Sequence, residues 1–154
     1  MMQVQDGKFY GILDESVGFL MGVTYRKISN LFMQRLKDYG ITSEQWLVLY
    51  CICERDGMMQ KDIAERSGKD RPTTTRILDV LHEKGWIVKK AGDSDRRSFL
   101  VYATDSGKAL IRETEQIERQ TVREATAGIT GEEYILLIKL LNRIGNNIDQ
   151  LNKE

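Results

Sequence analysis

Two short stretches of the chain hold the residue types best suited to gripping a polyanion. Lys69-Asp70-Arg71-Pro72-Thr73-Thr74-Thr75-Arg76 sets three cations around three consecutive hydroxyls. Short hydroxyls suit phosphate oxygens, and an arginine fork matches the O6 and N7 acceptors of guanine. Asp93-Ser94-Asp95-Arg96-Arg97 places two arginines beside two carboxylates. Such arginines suit the narrow minor groove of A·T-rich duplex, and either Asp93 or Asp95 can brace one of them through a charged hydrogen bond. Taken singly, each stretch has an ordinary explanation. The first is a solvated turn of helix; the second is an exposed loop whose ion pairs contribute under about 1 kcal/mol.

The elements that must carry these residues decide between the readings. Gln60 to Gly68 reads as a short helix ending in glycine. Asp70 caps the next helix, Pro72 is tolerated in its first turn, and Ile77, Leu78 and Leu81 form an apolar stripe before Gly85 stops it. Trp86–Lys90 and Ser98–Tyr102 read as two strands joined by the polar Ala91–Arg97 turn, a hairpin. Helix, short helix, glycine turn, longer helix and basic hairpin is the order of a winged helix-turn-helix. Its second helix presents an N-terminal end to base edges while its C-terminal half faces the core.

Upstream, apolar residues at Leu13, Val17, Leu20, Ile28 and Leu31 predict a helix over about Ile12–Lys37, ended at Tyr39-Gly40. Thr42 and Gln45 form a capping box for a helix that is apolar on nearly every side as far as Glu54. Its Cys51 and Cys53 lie about 200° apart around the helix, so they read as small core residues and not as a disulfide or metal pair. The single His82 reads as a helix-surface residue. Downstream, Thr104 caps a helix to about Ala125, and Thr130 with Glu133 forms a second capping box. In the final helix Tyr134, Leu137, Leu141, Ile144, Ile148 and Leu151 alternate in steps of three and four, a seam of the kind one helix presents to another. Ile135, Leu136, Ile138 and Leu140 widen it.

Charge supports one basic face, modestly. The chain of 154 residues is neutral overall, but Gln60–Tyr102 carries ten Lys/Arg against seven Asp/Glu, so the remainder is net acidic. A hydrophobic fraction of 41% with 30% charged residues is an ordinary soluble composition, and one proline leaves long helices uninterrupted. No apolar run approaches a membrane span, and the N-terminus lacks the basic flank and apolar stretch of a signal peptide, so the expected location is the cytoplasm.

Specific segments resemble the MarR family. Ile41–Leu49 resembles the opening of its second helix, Asp62-Ile63-Ala64 the start of its helix-turn-helix, and Leu78–Ile87 the end of its recognition helix. Asp93–Arg97 followed by Thr104-Asp105-Ser106-Gly107 resembles its wing and the start of the next helix. Thr74 stands where a small apolar residue is usual and Ala103 where leucine is usual. The first helix has no cysteine of the kind used by peroxide-sensing members. The resemblance implies a mainly α fold with a small β-hairpin wing: a winged helix-turn-helix lobe over residues 40–103 on a helical dimerisation region of residues 1–39 plus 104–154. It further implies a homodimer that binds a pseudo-palindromic site on double-stranded DNA and represses transcription. A small aromatic or anionic effector would release it. The DNA-contacting set is then Lys69, Arg71, Thr73, Thr74, Thr75 and Arg76 in the major groove, with Asp95, Arg96 and Arg97 in the wing. Met21, Tyr25, Trp46 and Tyr50 are the effector-lining candidates, each with core packing as its ordinary alternative.

No paired carboxylates, Ser/His/Asp set, phosphate loop or metal-ligand spacing is found, so no catalytic site, metal or cofactor is expected. The competing expectation is a dimer whose winged lobe binds another protein instead of DNA.

Overall fold

The computed structural model describes residues 13–92 and 99–153, together with the backbone of residues 4–5 and 8–9. Two-residue strands β1 (Val4–Gln5) and β2 (Lys8–Phe9) pair antiparallel. Five helical elements and a small sheet follow: α1 (Val17–Arg35), α2 (Ser43–Glu54), β3 (Met58–Met59), α3 (Gln60–Ser67), α4 (Arg71–Glu83), β4 (Ile87–Ala91), β5 (Phe99–Ala103) and α5 (Asp105–Ala125). A last helix, α6 (Gly131–Asn152), completes the chain. Contacts divide it into two compact units, Met1–Thr121 and Val122–Glu154.

The caps read from the sequence form as drawn. Thr42 accepts the Gln45 N–H at 3.1 Å while the Gln45 side chain accepts the Thr42 N–H at 3.1 Å. α1 is shorter than its periodicity suggests. A 3-10 turn at Leu13–Glu15 precedes it and another at Lys37–Tyr39 follows, because the Leu36 N–H is shared between the carbonyls of Phe32 and Met33 and the last turn tightens. Gly40 then takes the left-handed conformation at φ 69°. The hairpin also gains a strand absent from the sequence reading. β3 pairs with β5, giving the order β3-β5-β4, with Met58 opposite Val101 and Val101 opposite Lys89.

The core lies in the first unit. Phe32 from α1 and Leu36 just past its end, Trp46, Val48, Leu49 and Ile52 from α2, Ile63 from α3, and Ile77, Leu78 and Leu81 from α4 pack with Ile87, Val101, Leu110 and Ile111. Cys51 is buried and Cys53 half-buried, both as free thiols. Burial raises both, Cys53 to about 11, so both remain protonated at neutral pH. His82 is exposed. In the second unit, Thr130 and Glu133 close their capping box at 3.2 and 3.0 Å, and the apolar residues of α6 stand exposed: Leu137, Leu141, Ile148 and Leu151 are 38–67% accessible. No helix among the described residues is long and apolar enough to cross a membrane, and no group of three or more His, Cys, Asp or Glu among them is placed to hold a metal ion.

The junction between the hairpin and α5 explains the spacing Thr104-x-x-Gly107. The Thr104 N–H donates to the Trp86 carbonyl at 3.0 Å. Its hydroxyl donates to the Gly85 carbonyl at 2.7 Å and accepts the Gly107 N–H at 3.1 Å. This draws the first turn of α5 onto the strand, so a Cβ at residue 107 would lie 2.2 Å from the Trp86 oxygen. The atom met is backbone, not the end of a flexible side chain. Gly107→Ala is expected to destabilise the protein by about 1–3 kcal/mol, the usual range for forced overpacking. Urea unfolding checks this, and an unchanged midpoint would show that the junction is slack.

Candidate nucleic-acid interface

α3, a three-residue turn and α4 form a tightly capped pair. At the end of α3, Gly68 is left-handed at φ 70°, its N–H reaching the Glu65 carbonyl at 3.3 Å, and the Lys69 N–H returns to the Ala64 carbonyl at 3.0 Å. One residue on, the Asp70 carboxylate accepts the Thr73 N–H at 2.8 Å and starts α4. The turn is therefore held from both sides, by backbone bonds back to α3 and by the cap that starts α4. Gln60, at the head of α3, donates through its side-chain amide to the Thr75 hydroxyl and fastens the two helices across their polar side.

The three threonines separate into different roles. Thr74 is fully buried, and its hydroxyl donates to the Asp70 carbonyl at 2.8 Å. This corrects the sequence reading that placed Thr74 among the contact residues. It occupies a position in the core stripe of Ile77, Leu78 and Leu81, and the intrahelical bond is what lets a polar residue sit there. Thr75 is exposed, but its hydroxyl donates to the Arg71 carbonyl at 2.9 Å and accepts from Gln60. Thr73 is half-buried and receives a long 3.4 Å contact from Arg76. Arg71, Pro72 and Arg76 are exposed.

Lys69 is also corrected. Its side chain is only 11% accessible and is paired with the Glu44 carboxylate of α2. Burial of the ammonium group pulls its pKa below the ordinary lysine value. It does not project toward solvent with the arginines.

On the hairpin, Lys89 donates to Asp79 of α4 at 2.9 Å, and Lys90 lies 4.7 Å from the centre of the Tyr102 ring, a cation–π contact. The first ties β4 to α4 and the second ties β4 to β5. Asp93, Asp95, Arg96 and Arg97 lie outside the described residues. Of the effector-lining candidates, Trp46 and Tyr50 are stacked with ring centres 5.1 Å apart, and Phe32 meets Trp46 edge-on at 5.0 Å. Trp46 is 5% accessible and its indole N–H donates to Thr114 at 2.7 Å, so it is a core residue. Tyr25 is exposed on α1 and donates to Glu44 at 2.7 Å, while Met21 is half-buried one turn earlier. The structure thus brings Trp46 and Tyr50 together and leaves Tyr25 on a separate polar contact. Glu44 and Asp79 were absent from the sequence reading. Each has a partner remote in sequence, and only Glu44's place in the first turn of α2 was visible beforehand.

The Asp70 cap has a pH signature. Hydrogen bonds from Thr73, first its N–H and then its hydroxyl, lower the Asp70 carboxyl below its ordinary value of 3.8, with smaller contributions from Arg76 and Lys69. A depressed folded-state pKa means stability that is present above the unfolded value and is lost as pH falls through the folded one. Asparagine also caps helices but does not titrate here. The stability of the wild type relative to Asp70→Asn is therefore expected to be constant down to about pH 5 and to decline below about pH 4. Denaturant unfolding across this range checks it; a pH-independent difference would exclude the charged cap.

Comparison with known proteins agrees with this architecture. Residues 41–99 match the MarR family. The whole fold is similar to that of the transcriptional regulator SlyA, at 26% identity and a TM-score of 0.81 over 88% of this chain and 95% of that one. Wild-type MarR from E. coli in its apo form is 27% identical, with a TM-score of 0.70 over 84% and 96% of the two chains. The fold is also similar to that of Bordetella bronchiseptica BpsR, whose DNA binding is regulated by 6-hydroxynicotinic acid (24% identity, TM-score 0.78, 85% and 99% covered).

Proposed function

From the premise that this chain carries a MarR-family winged helix, the fold of a family of DNA-binding transcriptional regulators, we propose that it acts as a homodimeric repressor on a pseudo-palindromic operator. The observation that carries this reading is the division of α4. Thr74, Ile77, Leu78 and Leu81 are buried, while Arg71, Pro72, Thr75 and Arg76 stand exposed at the capped N-terminal end. An N-terminal helix end that displays arginines and is anchored from behind is what a major groove accepts. In this reading Arg71 and Arg76 contact base edges, Thr73 and Thr75 lie against phosphates, and Asp95 orients Arg96 or Arg97 in the minor groove.

Two copies would bind half-sites about 34–36 Å apart, one turn of DNA. The seam of α6, with Tyr134, Leu137, Leu141, Ile148 and Leu151 exposed and Ile144 half-buried, supplies an apolar face that a second copy would cover. The exposed Val17 and Leu20 of α1 belong to the same dimer in this reading. Effector control follows by analogy with BpsR. A small aromatic or anionic molecule beside the half-buried Tyr50 would shift the population toward a lobe spacing unable to span both half-sites. Such a regulator works in the cytoplasm and performs no catalysis.

Selection from random double-stranded DNA, with and without a panel of phenolic and pyridine carboxylic acids, supplies the operator and tests release. On the selected site, Arg71→Ala and Arg76→Ala are each expected to weaken binding by about 1–3 kcal/mol and to relax the preference at one base pair. Arg96→Ala and Arg97→Ala are expected to lower the salt dependence by about one counterion each. Unaltered affinity in all four variants would remove these arginines from the reading surface, and a protein that selects no sequence would remove DNA from the mechanism and favour a protein-binding winged lobe. Light scattering tests the seam separately: the double variant Leu141→Arg, Ile144→Arg is expected to be monomeric, and a persistent dimer would exclude α6 as interface.

A further inference from the structure

Glu44 is the second residue of α2, where a carboxylate is favoured by the unpaired N–H groups of the first turn. Both of its oxygens are occupied. Oε1 accepts from the Tyr25 hydroxyl of α1 at 2.7 Å, and Oε2 accepts from the Lys69 ammonium. Lys69 is the central residue of the turn between α3 and α4, fixed through its own N–H to Ala64 and through the Asp70 cap beside it. Three side chains thus join α1, α2 and the turn that launches α4. An exposed ion pair would contribute little. This one differs because the Lys69 side chain is 11% accessible against 39% for Glu44. An ammonium group covered to that degree needs its carboxylate, and removing one partner leaves a charge without compensation.

We propose that Glu44 is a positioning residue for DNA reading: it pins the turn at Lys69 to α1 through Tyr25, fixing how α4 is presented, and withholds the Lys69 charge from phosphate. The second half rests on the DNA-binding reading above; the pin itself does not. It explains why a lysine next to the reading residues is turned inward. It also joins the start of α4 to a helix that makes no reading contact of its own.

Glu44→Gln keeps an acceptor for Tyr25 but cannot neutralise Lys69. The freed ammonium is expected to add one phosphate contact, steepening the slope of log K against log salt by about 0.9. With α4 less firmly set, the ratio of specific to non-specific affinity is expected to fall about fivefold or more, within the range of an ordinary coupling between sites. A merely destabilised protein would lose both affinities together. The double variant Glu44→Gln, Lys69→Met is expected to restore the wild-type slope while the ratio stays low. Tyr25→Phe is expected to lower the ratio without moving the slope. An independent readout needs no DNA: acetylation of Lys69 by an N-hydroxysuccinimide ester, followed by peptide mass, is expected to be several-fold faster in Glu44→Gln than in the wild type. Equal acetylation rates would overturn the pin, as would an unaltered ratio and slope in Glu44→Gln. If that variant does not fold, an unaltered ratio in Tyr25→Phe would overturn it. A wild type that selects no DNA sequence would instead sink the DNA-binding reading, and the acetylation comparison would still decide the pin.

Discussion

The buried stripe of α4 is the constraint from which the rest of the winged lobe follows. Thr74, Ile77, Leu78 and Leu81 recur at helical spacing and lie against α2, α3 and the first residues of the hairpin. Full burial of a leucine or isoleucine side chain contributes about 1.5–3 kcal/mol, so rolling the helix to expose this stripe would cost several such increments at once. One rotational setting remains, and it turns Arg71, Thr75 and Arg76 outward. The same packing sets the hairpin, because Ile87 and Val101 complete the core beneath the helix and Lys89 reaches Asp79 on its flank.

Charge contributes less to the lobe's outer surface than the count of basic residues suggests. Lys69 is tied to Glu44, Lys89 to Asp79, and Lys90 lies over Tyr102. Lys84 lies over Trp86 and donates to the Gly40 carbonyl. Four lysines of the basic segment therefore hold helices, turn and sheet to one another, Lys69 and Lys89 paired with carboxylates while Lys84 and Lys90 stay exposed. The arginines at 71 and 76 are left as its outward cations on α4. This division suits the two side chains: a lysine supplies a compact charge on a flexible stem, whereas a guanidinium offers a fork able to meet a base edge.

Local order was legible in the sequence because its determinants are local. The capping boxes at Thr42 and Thr130, the Asp70 cap and the glycines at 40, 68 and 85 each act over a few residues, and each forms where its residue types predicted. The apolar stripe of α4 was equally readable, since Ile77, Leu78 and Leu81 have no alternative use. What escaped were polar side chains whose partners lie far along the chain. The burial of Thr74 had a signal, its register with Ile77, Leu78 and Leu81, but a threonine between two others reads as polar surface until the rotational setting of α4 is known. Lys69 and Glu44 are 25 residues apart, and no pattern connects them. β3 escaped because two residues are too few to show an alternation, and its existence depends on β5 offering an edge.

The hydrogen bond from Trp46 to Thr114 spans 68 positions of the chain. It carries a consequence for which parts of the lobe are closed locally and which are not. Buried polar groups need partners, and the indole N–H finds its acceptor on α5. α3 and α4 are joined locally, through Gln60 and Thr75 only 15 residues apart. The core around Trp46 is not closed locally. It needs α5, so the footing of the helix pair that would enter DNA is completed by a helix that follows the whole winged lobe in the chain.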